Sequence, residues 1–282
     1  MVSRSAVLTG ALALLSPLAA HGFMVPVPDT LQAFLGPNSM NPGPNSHHNE
    51  AESAFNRPSW FTSALMARRM LALSPSAVLS TDFPETIPPS RHAPPSDVAG
   101  HSIALREYIA DCEGSLPSDL SPGDNGNPTI LGLHIGTTFK NIAAGSNLSL
   151  QLDWWDHLDA AGPVYPGLPL SPAALPRVTL MGYMENLPSP LPADTAAALE
   201  QCFTEPHPDA KAWLPTAAYS PHSSFWARMV VTHAIWIGGF GDVQQIGWIN
   251  MTEWHGIRPH GSEEGVGDGR GWKDVRLPGE RV

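Results

Sequence analysis

Proline and glycine interrupt this chain so often that a helical bundle is disfavoured. The 282 residues include 30 Pro and 25 Gly, and both residue types favour turns over helix interiors. Hydrophobic residues make up 42% of the chain, which is enough to build a buried core between the turns. We therefore expect a folded protein with many turns and long loops.

Short runs of alternating or apolar residues predict β-strands. The five clearest runs are residues 129–139, 146–154, 178–184, 227–237 and 243–251. Helical patterns occupy residues 50–73 and 194–203, the second with Asp194 as a possible N-cap, and the Ser- and Pro-rich residues 74–99 are predicted to form a loop. Strands at this spacing predict a mostly β fold, an antiparallel immunoglobulin-like β-sandwich with long loops and short helical insertions.

The first twenty residues have the pattern of a secretory signal peptide. A basic Arg4 precedes the apolar residues 6–18, and Leu18-Ala19-Ala20 supplies small residues before a cleavage point. An uncut N-terminal anchor is the alternative, although the apolar stretch is short for a bilayer-spanning helix. We expect a signal peptide over 1–20, a single domain over 21–254, a flexible Gly-rich tail over 255–282, and a secreted, extracellular protein.

The charge of the chain restricts its partners. The formal net charge is −11, so the chain lacks the basic stripe that nucleic acid or an anionic membrane requires. No apolar run reaches the length of a transmembrane helix. We expect no nucleic-acid partner, no membrane partner and a monomer.

Two cysteines and two sequons agree with a secretory route. Cys112 and Cys202 are the only cysteines, and an even pair in an oxidising compartment predicts one disulfide, with two buried free thiols as the alternative. The triplets that begin at Asn147 and Asn250 are candidate N-glycosylation sites.

Signal cleavage after Ala20 would expose His21 as the new N-terminus. An N-terminal histidine offers two nitrogen donors, the α-amine and the imidazole Nδ1, and a second histidine would complete a three-nitrogen site. Nitrogen ligands in planar geometry favour copper. The alternative is that His21 is an ordinary terminal residue without a ligand role.

A second histidine follows the strand pattern of residues 146–154. The sequence runs from Ala144-Gly-Ser through Trp-Trp-Asp-His157 to Gly162-Pro163. Together with His21-Gly22, these residues resemble the lytic polysaccharide monooxygenases, copper enzymes that begin with His-Gly and carry a second copper-binding histidine shortly before Gly-Pro. The resemblance implies that His21 and His157 bind one copper ion, although four residues separate His157 from Gly162, where the family usually has one. The alternative ligands are His101, His134 and His233.

The resemblance also implies residues beside the copper and a reaction. Gln245 would hydrogen-bond near the metal, and Trp248 or Phe240 would take the axial position where the family has Tyr or Phe. The expected activity is oxidative cleavage of glycosidic bonds in a polysaccharide, with an external electron donor and O₂ or H₂O₂ as co-substrate. The aromatic residues that could stack on the sugar rings are Trp60, Trp213 and Tyr219.

Two other functions remain open from the sequence. A non-catalytic secreted copper-binding protein would keep the two histidine ligands and act in copper capture or delivery. A secreted hydrolase would use Ser102, because Gly100-His-Ser-Ile-Ala104 approximates a nucleophile elbow. The elbow needs a preceding strand, and the Pro-rich residues 88–99 do not predict one.

Overall fold

Seven antiparallel strands form one sheet that closes on itself. The structure, a computed structural model, describes residues 57–87, 89, 93–165, 167–241 and 243–281. The strands are β1 (Ser76–Asp82), β2 (Ser102–Ala110), β3 (Thr129–Leu133), β4 (Leu148–Asp153), β5 (Arg177–Asn186), β6 (Ser224–Ile237) and β7 (Ile246–Trp248). Their order in the sheet is β3-β2-β1-β4-β5-β6-β7, and β3 also pairs with β6.

The pairing of β3 with β6 closes a six-stranded barrel. Ile130 of β3 lies opposite Ile109 of β2 on one side and opposite Ala227 of β6 on the other. β7 pairs with β6 outside this ring. The predicted immunoglobulin-like β-sandwich is therefore wrong, because one closed antiparallel barrel replaces two facing sheets. The prediction lacked β1 and β2, which link β3 to β4 in the ring.

The barrel interior is filled by the inward-facing side chains of each strand. Leu148, Leu150 and Leu152 alternate along β4 and are buried, while the residues between them are more exposed. Leu79 of β1 is fully buried and lies opposite Leu150. This period-two burial is the pattern that a barrel wall requires.

Four α-helices accompany the barrel. They are α1 (Trp60–Leu73), α2 (Thr137–Ala143), α3 (Ala193–Thr204) and α4 (Met251–Gly256). α1 begins after Ser59, whose hydroxyl accepts a hydrogen bond from the Thr62 amide at 3.0 Å and so caps a free helix donor. α3 begins one residue before the predicted cap Asp194, with Pro192 in the N-cap position. Within the described part of the chain, none of the helices has both the length and the apolar character to cross a bilayer.

α1 carries a buried arginine that joins it to the end of α4 and to the loop between β2 and β3. Arg68 is fully buried and donates to the carbonyl oxygens of Trp254 at 3.0 Å and Ile257 at 3.1 Å. Its guanidinium also donates to Asp124 Oδ1 at 2.7 Å. These bonds compensate a charge that would otherwise be costly to bury.

Residues 255–281 pack on the barrel, although their composition predicted a flexible extension. Trp272, Val275 and Leu277 are buried in the main core. Arg69 Nε donates to Glu280 Oε2 at 2.9 Å, and both side chains are almost fully buried. An ion pair and three apolar anchors therefore attach the C-terminal segment to α1 and the core.

The structure pairs Cys112 with Cys202, as the sequence analysis predicted. The disulfide joins the segment after β2 to α3 across a sequence separation of 90 residues. It lies in a second buried cluster, in which Phe203 packs edge-on against Trp226 with ring centroids 5.1 Å apart. The bond thus fastens α3 to the barrel.

Candidate functional site

A β-bulge shapes the outer face of the barrel. The register between β5 and β6 shifts between Met181 and Gly182. A Cβ atom on Gly182 would overlap the carbonyl oxygen of Val230, so only glycine permits this approach of the two strands. Tyr183 follows the bulge and exposes 56% of its surface.

A hydroxyl-rich groove lies on one side of Tyr183. It has a volume of about 530 Å³ and crosses β1, β2, β4, β5 and β6. We call it the hydroxyl groove; its lining residues are Ser80, Asp82, Ser102, Asn147, Leu148, Ser149, Met181, Gly182, Tyr183 and Thr232. The only charged side chain among them is the carboxylate of Asp82, which accepts a hydrogen bond from the Ser102 hydroxyl.

A charged groove lies on the other side of Tyr183. It has a volume of about 370 Å³. Its lining residues are Glu113, Pro122, Asn125, Asn127, Tyr183, Glu185, Arg228, Val230 and His255. Tyr183 lines both grooves, and we call the two grooves with the exposed Tyr183 ring between them the cleft.

Glu113 organises the wall of the charged groove. Its buried carboxylate accepts hydrogen bonds from the Ser121 hydroxyl at 2.8 Å, the Asn125 amide at 2.7 Å and the Asn127 side-chain amide at 2.8 Å. Buried carboxylates need such donors. Glu113 therefore holds the loop between β2 and β3 in place.

Arg228 is the one Lys or Arg residue that lines the charged groove. Each of its three guanidinium nitrogens already has a partner in the protein. Its Nε donates to Glu185 Oε2 at 3.0 Å and its Nη1 donates to the Leu120 carbonyl at 2.8 Å. Nη1 also lies 3.4 Å from Glu113 Oε1. Two carboxylates thus neutralise this guanidinium, and the cleft as a whole is acidic.

Of the two predicted copper ligands, His21 lies outside the described residues. His157 lies in a 3₁₀ segment after β4 and stacks on Trp154 with ring centroids 4.3 Å apart. Burial lowers the pKa of His157, while the neighbouring carboxylates of Asp156, Asp159 and Asp153 oppose that shift. Among residues 57–281, as far as they are described, no group of three His, Cys, Asp or Glu side chains is arranged to hold a metal ion.

Gln245 and Trp248 lie at the outer strand β7 and its approach, away from His157 in the sheet order. Gln245 donates to the Pro58 carbonyl at 2.9 Å and so connects the start of α1 to this edge. Trp248 exposes 57% of its surface and lies beside His233, with ring centroids 6.3 Å apart. Neither residue lines the cleft.

The alternative copper ligands and the candidate nucleophile Ser102 also lie on different parts of the fold. His101 is exposed before β2, and His134 leans on Phe225 at a centroid distance of 4.7 Å. Ser102 begins β2 and is not followed by a helix, so the nucleophile-elbow geometry is not formed there.

Both candidate glycosylation residues, Asn147 and Asn250, are exposed. Asn147 lines the hydroxyl groove, whereas Asn250 caps α4 by accepting from the Thr252 amide at 2.9 Å.

The three predicted stacking residues lie outside the cleft. Trp60 packs over Gly247, Trp213 is half-buried near Tyr108, and Tyr219 is 98% exposed on a loop. Tyr183 was not among the predicted site residues, although it falls within the predicted strand 178–184. Its outward position in the alternation that buries Val178 and Leu180 is the signal that would have found it.

Solved structures with a related arrangement share little sequence with this chain. A heme-binding protein from Mycobacterium smegmatis is 19% identical, with 71% of this chain and 61% of that chain covered and a TM-score of 0.45. An FAD-binding protein from Mesorhizobium loti is 15% identical (61% and 92% covered, TM-score 0.35). HutZ, the heme storage protein from Vibrio cholerae, is 10% identical (58% and 85% covered, TM-score 0.34).

These likenesses are too distant to support a function. The chain spans about three fifths of the M. smegmatis protein. No curated protein matches the chain.

The family assignment comes from the sequence of the barrel itself. A family model described as CREG, beta-barrel matches residues 58–256, which includes all seven strands. This match overturns the resemblance to lytic polysaccharide monooxygenases, which rested on two short motifs. The expected copper-dependent polysaccharide monooxygenase, its copper cofactor with electron donor and O₂ or H₂O₂, and the alternative copper carrier are therefore wrong. The chain belongs to the CREG β-barrel family.

Proposed function

We propose that this chain is a secreted binding protein that holds a neutral sugar chain in the cleft centred on Tyr183. The observation that carries the proposal is the exposed Tyr183 ring between two polar grooves. An aromatic ring with a polar tip offers an apolar face to a sugar ring and a hydroxyl to its edge. One groove on each side of the Tyr183 ring extends the surface for further sugar units.

The chemistry of the hydroxyl groove matches a polyhydroxylated ligand. Four of its lining residues, Ser80, Ser102, Ser149 and Thr232, carry hydroxyls that both donate and accept hydrogen bonds. Asn147 adds an amide and Asp82 adds a carboxylate acceptor. Sugar hydroxyls also donate and accept, so each can find a partner in this groove.

The charge of the cleft disfavours anionic ligands. Asp82, Glu113 and Glu185 carry negative charge, and the guanidinium of Arg228 is already bonded to two of these carboxylates. A phosphate or carboxylate ligand would find no free guanidinium or ammonium group in either groove. Neutral ligands avoid this repulsion.

The same charges do not fit the groups bound by the distant structural neighbours. FAD carries a pyrophosphate and heme carries two propionates, and cationic partners strengthen the binding of both. The described residues that line the cleft supply only the neutralised Arg228. We therefore assign neither FAD nor heme to this cleft.

The size of the grooves suits a small ligand. Volumes of about 530 and 370 Å³ fall within the common range of roughly 300–1,000 Å³ for ligand sites. Secretion is part of the proposal; it is supported by the signal-peptide pattern of residues 1–20 and by the disulfide.

Isothermal titration calorimetry with neutral oligosaccharides tests the proposal. We expect saturable binding of at least one of the soluble β-glucan, mannan or chitin oligosaccharides. Tyr183→Ala should weaken that binding by at least about tenfold, because a stacked ring contributes on the order of 1.5 kcal/mol. Tyr219→Ala is the matched control, since it removes an exposed tyrosine outside the cleft.

Two results would overturn the proposed function. One is the absence of binding for all three classes of oligosaccharide. The other is equal binding by the wild-type protein and Tyr183→Ala, which would place the sugar site elsewhere. Stoichiometric uptake of FAD or heme that is lost in Tyr183→Ala would replace the sugar ligand with that group.

A further inference from the structure

Asn147 stands at the rim of the hydroxyl groove and begins the sequon Asn147-Leu148-Ser149. It is exposed, and it immediately precedes β4. An exposed asparagine in such a triplet is an acceptor for N-glycosylation in a secreted protein. The first sugar on Asn147 would therefore begin at the edge of the groove.

The backbone around Asn147 is held toward the groove. The Ser146 hydroxyl donates to the Asn147 carbonyl at 2.6 Å and accepts from the Asp82 amide at 2.7 Å. Gly145, the residue before Ser146, has a φ of +96°, a left-handed conformation that favours glycine at this turn. These contacts tie the attachment point to β1, the strand that pairs with β4 and also lines the groove.

The second sequon has a different surrounding. Asn250 is exposed at the start of α4 and lines neither groove. A glycan on Asn250 would therefore begin outside the cleft. The chain thus provides a built-in comparison between two sequons of the same type.

We propose that Asn147 carries an N-linked glycan whose first sugar units lie in the hydroxyl groove, so that the chain's own glycan competes with an external sugar chain. This inference rests on the proposed function, because both sugars use the same hydroxyls and the same Tyr183 ring. Covalent attachment gives the glycan an effective concentration of roughly millimolar order. Weak contacts with Ser80, Ser149 and Thr232 are then sufficient to hold it in the groove.

The covalent step is that of secretory N-glycosylation. A bond forms between Nδ2 of Asn147 and the anomeric carbon C1 of the first sugar of a lipid-pyrophosphate donor. The C1–O bond to the pyrophosphate breaks, the lipid pyrophosphate leaves with that electron pair, and Nδ2 loses one proton. No electrons are exchanged with an external oxidant or reductant.

Glycopeptide mass spectrometry of the protein secreted from a eukaryotic host tests the attachment. We expect Asn147 to be occupied and to lose its glycan on treatment with peptide N-glycosidase. Asn147→Gln and Ser149→Ala should both abolish this modification, and Ser149→Ala keeps the asparagine itself. An unoccupied Asn147 would overturn the inference while leaving the proposed function standing.

Hydrogen exchange tests whether the glycan lies in the groove. Amides of β4 and β5 near the groove should exchange faster in the wild-type chain produced without N-glycosylation than in the glycosylated protein. Asn250→Gln should leave those amides unchanged. Equal exchange at β4 and β5 with and without the Asn147 glycan would overturn the inference.

Measurement of oligosaccharide affinity distinguishes failure of the glycan competition from failure of the proposed sugar binding. Affinity of the wild-type chain for the external oligosaccharide should rise by about three- to tenfold when the protein is produced in a host without N-glycosylation, because a competitor of millimolar effective concentration is then absent. Unchanged affinity of a protein that still binds sugar contradicts the competition alone. Failure of both the glycosylated and the glycan-free protein to bind any oligosaccharide contradicts the proposed function, whatever the occupancy of Asn147.

Discussion

Gly182 of β5 lies so close to the carbonyl oxygen of Val230 in β6 that a Cβ atom on residue 182 would overlap that oxygen. The approach occurs at the bulge where the β5–β6 register shifts. Tyr183, the next residue, is opposite Val230 and points to the exposed side of the barrel. The position of the central aromatic ring of the cleft therefore depends on a glycine at 182.

Gly182→Ala should destabilise the barrel because the added methyl group meets backbone, which cannot rotate away. We expect the free energy of unfolding to fall by about 2–3 kcal/mol or more, measured by urea denaturation. Gly114→Ala is the control, since the nearest atom to a Cβ there is 3.8 Å away. An equally small effect of both substitutions would show that the bulge relaxes freely.

Asp111→Asn should stabilise the protein at neutral pH. Burial, together with the charges of Asp124 and Glu113, raises the pKa of Asp111 to about 7, and the charge of Arg68 opposes this shift. The folded state thus binds a proton that the unfolded state releases near pH 3.9, so stability falls as the pH rises from about 4 to about 7.

The measurement is urea denaturation of both proteins from pH 4 to pH 8. At pH 8 we expect Asp111→Asn to raise the free energy of unfolding by about 1–3 kcal/mol, since each unit of pKa shift corresponds to about 1.4 kcal/mol. The exposed Asp97→Asn serves as the control. A loss of stability in Asp111→Asn at pH 8 would contradict the prediction.

Glu280→Gln should release the C-terminal segment. Burial alone would raise the pKa of Glu280, but hydrogen bonds from Arg69, the Leu277 amide and Arg276 hold it at about 2. A lowered carboxyl pKa stabilises the folded state above the unfolded pKa, and this contribution disappears as the pH falls toward 2. Removing the charge also leaves Arg69 buried without its partner.

We expect Glu280→Gln to lower the free energy of unfolding at pH 7 by about 3 kcal/mol, with faster hydrogen exchange in residues 272–281. The difference from wild type should shrink as the pH approaches 2. Glu264→Gln changes an exposed glutamate nearby and is the control. A constant difference across the pH range would argue against the ion pair as the cause.

Reduction of the Cys112–Cys202 disulfide should destabilise the protein strongly. The bond closes a loop with a separation of 90 residues, so the loop-closure entropy corresponds to about 4.6 kcal/mol. The free energy of unfolding is to be compared with and without a thiol reductant. The double variant Cys112→Ala/Cys202→Ala should resemble the reduced protein and show no response to reductant.

Elements with strong local patterns were predictable from the sequence. The runs that contain Leu148, Leu150 and Leu152, and those near Val178 and Trp236, form β4, β5 and β6. The helices near Leu65 and Leu199 also form. In each case residues close in sequence share one buried face, so local alternation or helical spacing is sufficient.

Local signals were weak for β1, one of the two strands that the prediction lacked, and for the bounds of β7, which the prediction placed over residues 243–251. β1 contains Ser76, Ser80 and Thr81, in a stretch that the composition assigned to a loop. Residues 246–248 alone form a strand within the predicted run 243–251, and Met251 begins a helix. Small hydroxyl residues are compatible with strand or turn, so neighbours in space decide between them.

The sequence by itself determined the β-rich character of the chain, its cysteine pair and its acidic charge. Only the tertiary structure decided that β3 pairs with β6, which closes the barrel, and that Tyr183 separates two polar grooves. The resemblance at His21 and His157 concerned short motifs, whereas the family match covers residues 58–256. Strand partners about a hundred residues apart, such as Ile130 and Ala227, leave no local pattern, because their pairing depends on the packing of the whole barrel.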